Sequence, residues 1–492
     1  MRPLTGIDSL FLSLESQTNL FQVGAVSVLD PSTAPEDSPP PHEALRRIVE
    51  SRLDRLPPFR ARLVNVPFGL DHPRWVEDGP DLDRHIRRGA LPAPGGEREL
   101  AGYAADVLAR PLDRNRPLWE IHVVEGLEGD LVAGVAKLHH SAVDGIAGTE
   151  VTANLMDLSP VLAERHPRPD GHRESVPGSL GLLRSAGANA GRRAFSTARL
   201  PGWLAGTAMS LRGHNRSLGG SPPPAFFSAP RTSLAARLGP ERVVGLARVD
   251  LADVEAVRQA TRATVNEVIL ALSASALRVY FEERGELPKE PLCAFVPVSV
   301  RSEGDAMTDG VNRLSGMLVS LATDIDDPVL RLAAIAESSR LAKEQHVVMG
   351  EDLFAELAAM GVPALLRPIG RLVRGLGLTS RFPPFNVVVS SFAGPTFPLY
   401  CGGAEMVAYH PFGPVIDGAA LNITAMSYRG QIGFGLLGCR DAVPDIEMLS
   451  RLIPESMNQL TKVLSATGRR NRRPAQDVRA LPIRRGRNDR GS

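Results

Sequence analysis

One short stretch of the chain brings several residues of catalytic type together. KLHHSAVDGIAG, residues 137 to 148, contains two adjacent histidines, His139 and His140, followed by Asp144 and Gly145. The apolar run that leads into the pair, DLVAGVAKLHH, is typical of a buried strand, and neighbouring side chains on a strand point to opposite faces. Only one of the two histidines can therefore face a given cavity.

This arrangement favours proton transfer over metal binding. Adjacent histidines on a strand do not readily close on one ion, no HExxH motif occurs, and no nearby His or Cys cluster completes a tetrahedral site. A neutral imidazole that faces a channel can instead take a proton from a hydroxyl group as its oxygen attacks a carbonyl. The alternative is that both histidines are satisfied residues at a strand end; the complete HHxxxDG pattern favours the catalytic interpretation.

Asp144 and Gly145 begin a segment, DGIAGTEVTANLMDL, that has the pattern of a helix. A carboxylate is stabilised at a helix N-terminus by the unpaired N–H groups and the helix dipole. We therefore expect Asp144 to brace the turn that positions the histidine, and Gly145 to permit tight packing at that turn.

Length and composition are those of a globular protein with two domains. The chain has 492 residues, 43% hydrophobic and 23% charged, with a net charge of +1. We find neither a signal-peptide pattern nor an apolar run of membrane-spanning length, which predicts a cytoplasmic protein that does not cross a membrane. Cys293, Cys401 and Cys439 lie too far apart for a CxxC pattern and are interpreted as buried thiols.

The sequence predicts four segments. Residues 1–158 alternate helix-like and strand-like patterns and carry the histidine pair, and residues 241–468 repeat this mixed character. Residues 159–240 are rich in Pro, Gly, Ser and Arg, which predicts a crossover between the two domains. Residues 469–492 are dominated by arginine and predict a disordered tail.

Two helices and several strands stand out within the halves. Residues 43–55 place apolar side chains on one side of a helix, as does VNEVILALSASALRVYFEE, for which we interpret Asn266 as the N-cap. The strand-like runs are LFQVGAVSVLD, RARLVNV, WEIHVVEGL, DLVAGVAKLHH, LCAFVPVSV, LSGMLVSLAT, FNVVVSSFAG and GQIGFGLLG. Both halves are thus mixed α/β.

Blocks spread over most of the chain match the motifs of one family in order. They are LTGIDSLFLSLES with FQVGAV, RNRPLWEIHVVEGLEGD, HHSAVDG, TVNEVILA, VPVSVR, NRLSGMLVSLATDIDDP, FNVVVSSFAGP and LNITAMSYRGQIGFGLLGCRDAVPD. In these blocks the chain resembles the bacterial wax ester synthase/diacylglycerol acyltransferases, within the wider HHxxxDG acyltransferase superfamily.

The resemblance implies an α/β (α+β) fold of two chloramphenicol-acetyltransferase-like domains, joined by a crossover segment around a central tunnel. It also implies an acyl-CoA-dependent O-acyltransferase in which His140 is the general base. Diacylglycerol or a long-chain fatty alcohol would attack the thioester directly, giving triacylglycerol or wax ester. No cofactor is implied, because long-chain acyl-CoA is a co-substrate. The residues agree in one respect: the sequence has no GxSxG nucleophile elbow and no Cys beside a His.

The resemblance further assigns the site residues. It implies that His139 supports His140, and that Asp144 organises the loop without touching the substrate. The implied substrate-binding positions are Pro117, Leu118, Trp119, Asn266 and Ser390. Structural alternatives remain open for three of these positions: Trp119 as core support, Asn266 as a helix cap, and Ser390 as a strand-end serine rather than an oxyanion donor.

The chain departs from the family pattern at two blocks. Glu267 stands where Asp is usual, and Ser391, Phe392 and Ala393 replace the usual Asn-Val-Pro. If these blocks shape the tunnel, the preferred acceptor differs from that of other members.

Two basic segments of the chain bear on whether the protein binds a lipid surface. Residues 175–240 contain arginine and aromatic residues but no acidic residue, and the tail is again basic. We hypothesise that these segments hold the enzyme peripherally on the inner membrane or on lipid droplets, the alternative being an interdomain helix plus a disordered tail. No specific nucleic acid is expected.

Two rival functions remain: a related HHxxxDG acyltransferase with another acceptor, such as a polyketide lipid or an amide-forming amine, and a non-catalytic lipid-binding protein.

Overall fold

The computed structural model describes residues 1–143, 151–161, 174–190, 223–299, 314–349 and 362–471, with a few single positions between 209 and 216. The strands in these ranges form three sheets. In chain order they are β1 (Arg2–Pro3), β2 (Gln22–Asp30), β3 (Ala61–Val64), β4 (Arg74–Glu77), β5 (Ile86–Ala90), β6 (Trp119–Glu125), β7 (Val132–His139), β8 (Arg242–Asp250), β9 (Cys293–Ser299), β10 (Leu314–Ser320), β11 (Val387–Ala393), β12 (Tyr400–Cys401), β13 (Ala404–Phe412), β14 (Leu421–Tyr428) and β15 (Gln431–Cys439).

The first large sheet carries the histidine pair. Its strand order is β12-β13-β2-β7-β6-β5. β7 lies between β2 and β6, antiparallel to both, with Gln22 of β2 opposite His139. Because β7 is paired on both edges and covered on both faces, its nearly continuous apolar run suits a central position. The histidines are therefore presented from the end of an interior strand.

The second large sheet has the order β10-β9-β11-β14-β15-β8. β11 runs parallel to both of its neighbours, β9 and β14, whereas the other pairs in this sheet are antiparallel. A third, small sheet joins β1, β4 and β3. All eight strand-like runs predicted from the sequence are confirmed, as β2, β3, β6, β7, β9, β10, β11 and β15, with boundaries that shift by three residues or fewer.

The first large sheet includes two strands from the second half of the chain. β12 and β13 come from the second half of the sequence, yet β13 pairs with β2 in the first sheet, with Glu405 opposite Asp30 and Phe412 opposite Gly24. The sequence-based division places residues 404–412 in the second domain, and in the structure they pair with a strand of the first. β13 covers the edge of β2 that β7 leaves free.

A close crossing of backbones joins the sheets where β13 passes β15. A side chain at Gly433 would put its Cβ 2.0 Å from the Tyr409 carbonyl oxygen, and one at Gly435 would lie 2.0 Å from that of Pro411. The GFGLLG run thus serves strand packing. Between these contacts, Nδ1 of buried His410 donates to the Phe434 carbonyl oxygen at 3.0 Å.

Helices pack against both large sheets. The α-helices of the described ranges include Gly6–Leu14, Pro41–Arg52, Pro57–Arg60, Leu82–His85, Glu97–Leu108, Leu251–Thr261, Val265–Glu283, Pro328–Met349, Pro363–Gly375, Leu378–Arg381 and Ile446–Asn471. The predicted helix Val265–Glu283 is confirmed, and it is buried over most of its length. Residues 151–155 and 179–190 are also helical. The helix predicted at residues 43–55 is observed as Pro41–Arg52.

Within the described ranges, no single helix is long and apolar enough to cross a membrane. Helices Leu251–Thr261 and Val265–Glu283 satisfy the length and composition requirement only as a pair bent by 104°. The second of these helices packs into a core that also includes Val135 of β7, Leu246 of β8 and Val389 of β11. One continuous apolar core thus spans both halves of the protein.

The crossing at His410 predicts a pH dependence of stability. Burial lowers the pKa of His410 from 6.5 to about 4, against the opposing effect of its hydrogen bond to Phe434. Because the unfolded chain takes up this proton at higher pH than the folded one, the stabilising contribution is present above about pH 6.5 and is lost as the pH falls towards 4. Its full size is on the order of 3 kcal/mol.

His410→Asn retains a side-chain donor but removes the titrating group. Urea unfolding between pH 7 and pH 4 should show a shallower loss of stability for this variant than for the wild type. Parallel curves for the two proteins would contradict the assignment.

Candidate active site

A largely apolar cavity of about 580 Å³ lies between the two large sheets. Strands β2 and β7 of the first sheet, β11 and β14 of the second, and the crossing strand β13 all contribute to its wall. The polar residues of the wall are Ser27, His140, Thr152, Ser315, Ser390, Ser391, Tyr409, Asn422 and Thr424. A mostly apolar pocket of this size with a few polar groups is the usual form of a site for a small organic ligand.

His140 belongs to the wall of this cavity. It follows the last residue of β7, and its backbone N–H donates to the Phe21 carbonyl oxygen at 2.9 Å. Its ring centroid lies 4.8 Å from that of Phe11, and the residue is 7% exposed. Phe21 has a φ of 47°, a left-handed conformation that is uncommon for an aromatic residue and costs about 1–3 kcal/mol. The residue that holds the His140 backbone is thus itself fixed in a strained conformation.

His139 is buried but does not line the cavity. The Ser141 backbone N–H donates to its Nδ1 at 3.0 Å, and the Ser141 hydroxyl oxygen lies 2.7 Å from the same nitrogen. Because Nδ1 accepts, the ring proton of the neutral form resides on Nε2, which lies 3.6 Å from a carboxylate oxygen of Glu15. The two histidines therefore face different surroundings, as strand geometry predicts.

Glu15 holds His139 on the side away from the cavity. Its buried carboxylate forms an ion pair with Arg114, whose guanidinium also donates to the Leu12 carbonyl oxygen at 2.8 Å. Burial raises the pKa of the Glu15 carboxyl, but the hydrogen bonds and charges of His139 and Arg114 outweigh this effect and hold the pKa below its ordinary value of 4.5. Glu15 is consequently a carboxylate at neutral pH and anchors the ring of His139.

Asp144 and Gly145, predicted to brace the turn after the histidines, lie outside the described residues. The helical pattern predicted from that point is observed at residues 151–155.

Pro117, Leu118 and Trp119 lie behind the histidines, outside the cavity wall. The Leu118 carbonyl oxygen accepts the His139 backbone N–H at 3.0 Å. Trp119 is 1% exposed, its ring stacks on Phe59 at 4.0 Å and on His85 at 4.4 Å, and its Nε1 donates to the Phe59 carbonyl oxygen at 3.2 Å. Their predicted contact with substrate stays a prediction, while this packing favours support of the strand that carries the histidines.

Ser390 lines the cavity. Asn266 does not line it, but is hydrogen-bonded to Ser391, the residue that follows Ser390. The Ser391 hydroxyl, also in the wall, donates to Asn266 Oδ1 at 2.8 Å. This bond ties the start of helix Val265–Glu283 to β11. Sequence reasoning did not assign Ser391 a site role, because it was noticed only as a departure from the family pattern.

The interpretation of Asn266 as a helix cap is wrong. Thr264 is the N-cap, and its side chain accepts from the Glu267 backbone N–H at 3.3 Å. The Glu267 carboxylate in turn accepts from the Thr264 backbone N–H at 2.8 Å, which completes a capping box. The longer acidic side chain therefore has a structural use, and it leaves the Asn266 amide to bind Ser391.

Neither a metal site nor a reactive thiol is found among the described residues. Across the parts of the chain that the structure describes, no group of three or more His, Cys, Asp or Glu side chains is placed to hold a metal ion. Cys293, Cys401 and Cys439 are buried free thiols, and burial raises the pKa of Cys293 to about 12. A thiol with so high a pKa is a poor nucleophile at neutral pH.

Two solved structures have a fold similar to that of this chain. The first condensation domain of the calcium-dependent antibiotic synthetase superposes with a TM-score of 0.55 at 13% identity, over 94% of this chain and 97% of that one. The wax ester synthase/diacylglycerol acyltransferase from Marinobacter aquaeolei VT8 superposes with a TM-score of 0.67 at 28% identity, over 94% of this chain and all of that one. The protein is thus an acyltransferase of the class built from two chloramphenicol-acetyltransferase-like halves, which confirms the predicted fold class.

Sequence comparison narrows the class to one family. The wax ester synthase/diacylglycerol acyltransferase catalytic domain matches residues 4–269, and the C-terminal domain of the same family matches residues 311–461. A Mycobacterium tuberculosis protein that carries a diacylglycerol O-acyltransferase name is 35% identical over 465 residues, 94% of this chain and 90% of the relative. A second from that species, tgs2, is 34% identical over 477 residues, 93% and 98% of the two chains. The chain belongs to the wax ester synthase/diacylglycerol acyltransferase family.

The ion pair behind the histidines predicts the effect of Glu15→Gln. Removing the carboxylate leaves Arg114 and the Nε2 proton of His139 without their charged partner, which we expect to cost about 1–3 kcal/mol at pH 7. Because the folded-state pKa of Glu15 is depressed, its contribution is present above pH 4.5 and is lost as the pH falls further.

Denaturant unfolding of both proteins should therefore show a difference in stability that is largest near neutral pH and shrinks on acidification below 4.5. A difference that is constant with pH would mean that the carboxylate charge is not what stabilises the site.

Proposed function

We propose that the enzyme transfers a long-chain acyl group from coenzyme A to the hydroxyl of diacylglycerol or of a long-chain fatty alcohol, giving triacylglycerol or wax ester, with His140 as the general base. The observation that carries the proposal is the position of His140 on the wall of an apolar cavity bounded by both sheets. Family membership and the names of its relatives support the acyl donor and the acceptors. The reaction uses no cofactor.

The chemistry follows from a neutral imidazole beside an apolar cavity. The acceptor hydroxyl donates its hydrogen to the His140 ring while its oxygen attacks the thioester carbonyl carbon. A C–O bond forms, and the carbonyl electron pair moves to oxygen. When the tetrahedral adduct collapses, the C–S bond breaks and the departing sulfur takes the proton from the imidazolium. Ester and free thiol leave, and the histidine is neutral again.

Groups on the opposite wall are suited to the developing oxyanion. The Ser391 hydroxyl hydrogen is used by Asn266, so we assign the oxyanion donor to Ser390, which also lines the cavity. His139 takes no part in proton transfer in this scheme. Held by Ser141 and Glu15, it orients the strand end from which His140 projects.

The reaction and the base are tested together. Purified protein is given palmitoyl-CoA with dioleoylglycerol or with hexadecanol, and CoA release is followed. We expect release that depends on the alcohol, and a fall of roughly 10²- to 10⁴-fold in kcat for His140→Ala. His42→Ala, which removes a histidine outside the cavity wall, should retain activity. Alcohol-dependent release by the His140 variant at the wild-type rate would refute the assignment of the base.

We also propose that the enzyme works at a lipid surface, and a feature that the sequence did not single out supports this. Helix Pro363–Gly375 exposes an apolar ridge at a helical spacing, formed by Leu365, Ile369, Leu372 and, just past its end, Leu376, each more than half exposed. Phe68 is 83% exposed on a turn that contacts the start of this helix, because Gly69 packs against Ala364. Exposed apolar side chains on a helix that also carries arginines are characteristic of helices that lie in a membrane interface.

The segments first predicted to bind lipid are only partly described. Residues 179–190 form a helix in which Leu182 and Ala186 pack against Val66, so this part has a structural role. Residues 191–208 and the tail beyond residue 471 lie outside the described ranges.

The ridge predicts the effect of a charge on lipid binding. Leu372→Glu places a carboxylate in the middle of the ridge, and we expect it to reduce co-flotation with vesicles of phosphatidylglycerol and diacylglycerol several-fold. Leu330→Glu is the matched control, because Leu330 and Leu372 are each 62% exposed, on different helices. Equal flotation of the two variants would remove the ridge as the docking surface.

A further inference from the structure

A second cavity, of about 730 Å³, lies behind the histidine pair and has a different character. The C-terminal end of helix Gly6–Leu14 and one face of helix Pro363–Gly375 form its wall. The charged residues of the wall are Glu15, Asp113, Arg114, Arg367, Arg371 and Arg374, four cations against two carboxylates. Gly370, between the arginines, lets the two helices approach closely, since a Cβ there would lie 3.0 Å from Leu14 Cδ2.

Two of the four arginines have structural partners that explain them. Arg114 pairs with Glu15 and donates to the Leu12 carbonyl oxygen. Arg374 pairs with Asp417 at 2.8 Å and donates to the Leu14 carbonyl oxygen at 3.1 Å. Both arginines thus satisfy the unpaired carbonyl groups at the end of the first helix.

Arg367 and Arg371 have no such explanation. Among the described residues neither forms an ion pair with a carboxylate, although they stand one helical turn apart, where like charges destabilise a helix. Burial and the neighbouring charges of Arg114 and Arg371 hold the pKa of Arg367 below its ordinary value. The folded protein therefore bears an unfavourable concentration of positive charge here, which a bound anion would relieve.

We propose that Arg367 and Arg371 bind the phosphates of the coenzyme A nucleotide, and so hold the acyl donor by the end remote from its thioester. Guanidinium groups match phosphate oxygens in charge and in bidentate geometry. The location suits this use, because helix Gly6–Leu14 lines both cavities: Ile7, Leu10 and Phe11 line the first, and Leu12, Ser13 and Leu14 the second. The proposal rests on the proposed acyl-CoA donor.

Anionic lipid headgroups also carry phosphate groups, and they are the alternative ligand for Arg367 and Arg371. The apolar ridge projects from the same helix as the arginines. The two sources differ in a measurable way, because a headgroup would act on lipid binding and a nucleotide phosphate on the kinetics of a CoA donor in detergent, without vesicles.

The test compares two palmitoyl thioesters, one on coenzyme A and one on N-acetylcysteamine, which has no phosphate. For the double variant Arg367→Ala/Arg371→Ala we expect KM for palmitoyl-CoA to rise about tenfold or more, with kcat little changed. Kinetics with the N-acetylcysteamine thioester should match the wild type. Arg451→Ala, which removes an exposed arginine outside both cavities, is the control.

Calorimetric titration with adenosine 3′,5′-bisphosphate provides a readout without turnover: the wild type should bind and the double variant should not. An unchanged KM for palmitoyl-CoA, or an equal loss with both thioesters, would overturn the proposal. Loss of vesicle flotation with unaltered kinetics would assign the arginines to lipid headgroups instead. If the wild type turned over neither thioester, the proposed function would fail, while the titration would still decide whether the cavity binds nucleotide phosphates.

Discussion

The close passage of β13 over β15 is the constraint on which the architecture depends. Gly433 and Gly435 allow backbone carbonyl groups of one sheet to approach the other at a distance that any Cβ would prevent. Because β13 also hydrogen-bonds to β2, this single strand ties the sheets into one body with a shared core. The same strand lines the cavity that His140 borders, through Tyr409, Pro411 and Phe412.

The division of labour between the histidines follows from strand geometry. His140 meets Phe11 and the cavity, while His139 meets Ser141 and Glu15 on the other side. The ion pair between Glu15 and Arg114 lies where the helix that lines the cavity ends. One helix therefore supplies an aromatic contact to the residue at the cavity wall, and the residue after its end supplies a carboxylate to the neighbouring histidine.

Local sequence pattern predicted much of the fold. Helix Val265–Glu283 and strand β7 have clear periodicity, and both are observed close to their predicted bounds. β13 was not predicted, because AEMVAYHPF mixes Glu, His and Pro with apolar residues, and its burial comes from partners far away in the chain. Glu15 and Arg114 were missed for the same reason: no local pattern reveals that they meet at His139. The capping role of Glu267 was in principle readable, since Thr264 precedes it by three residues.

The pairing of β2 with β13, which lies far along the chain, has a consequence for how the protein folds as it leaves the ribosome. β2 can pair with β7 once about residue 139 has emerged, but its other edge waits for Phe412. At typical rates of synthesis this delay lasts roughly 14–55 s. Throughout that time a nine-residue, largely apolar strand has an open edge that can pair with other nascent chains. The same topology that unites the finished enzyme therefore creates a period of aggregation risk, and selection for chaperone binding or slow-folding intermediates would act on the first half of the chain.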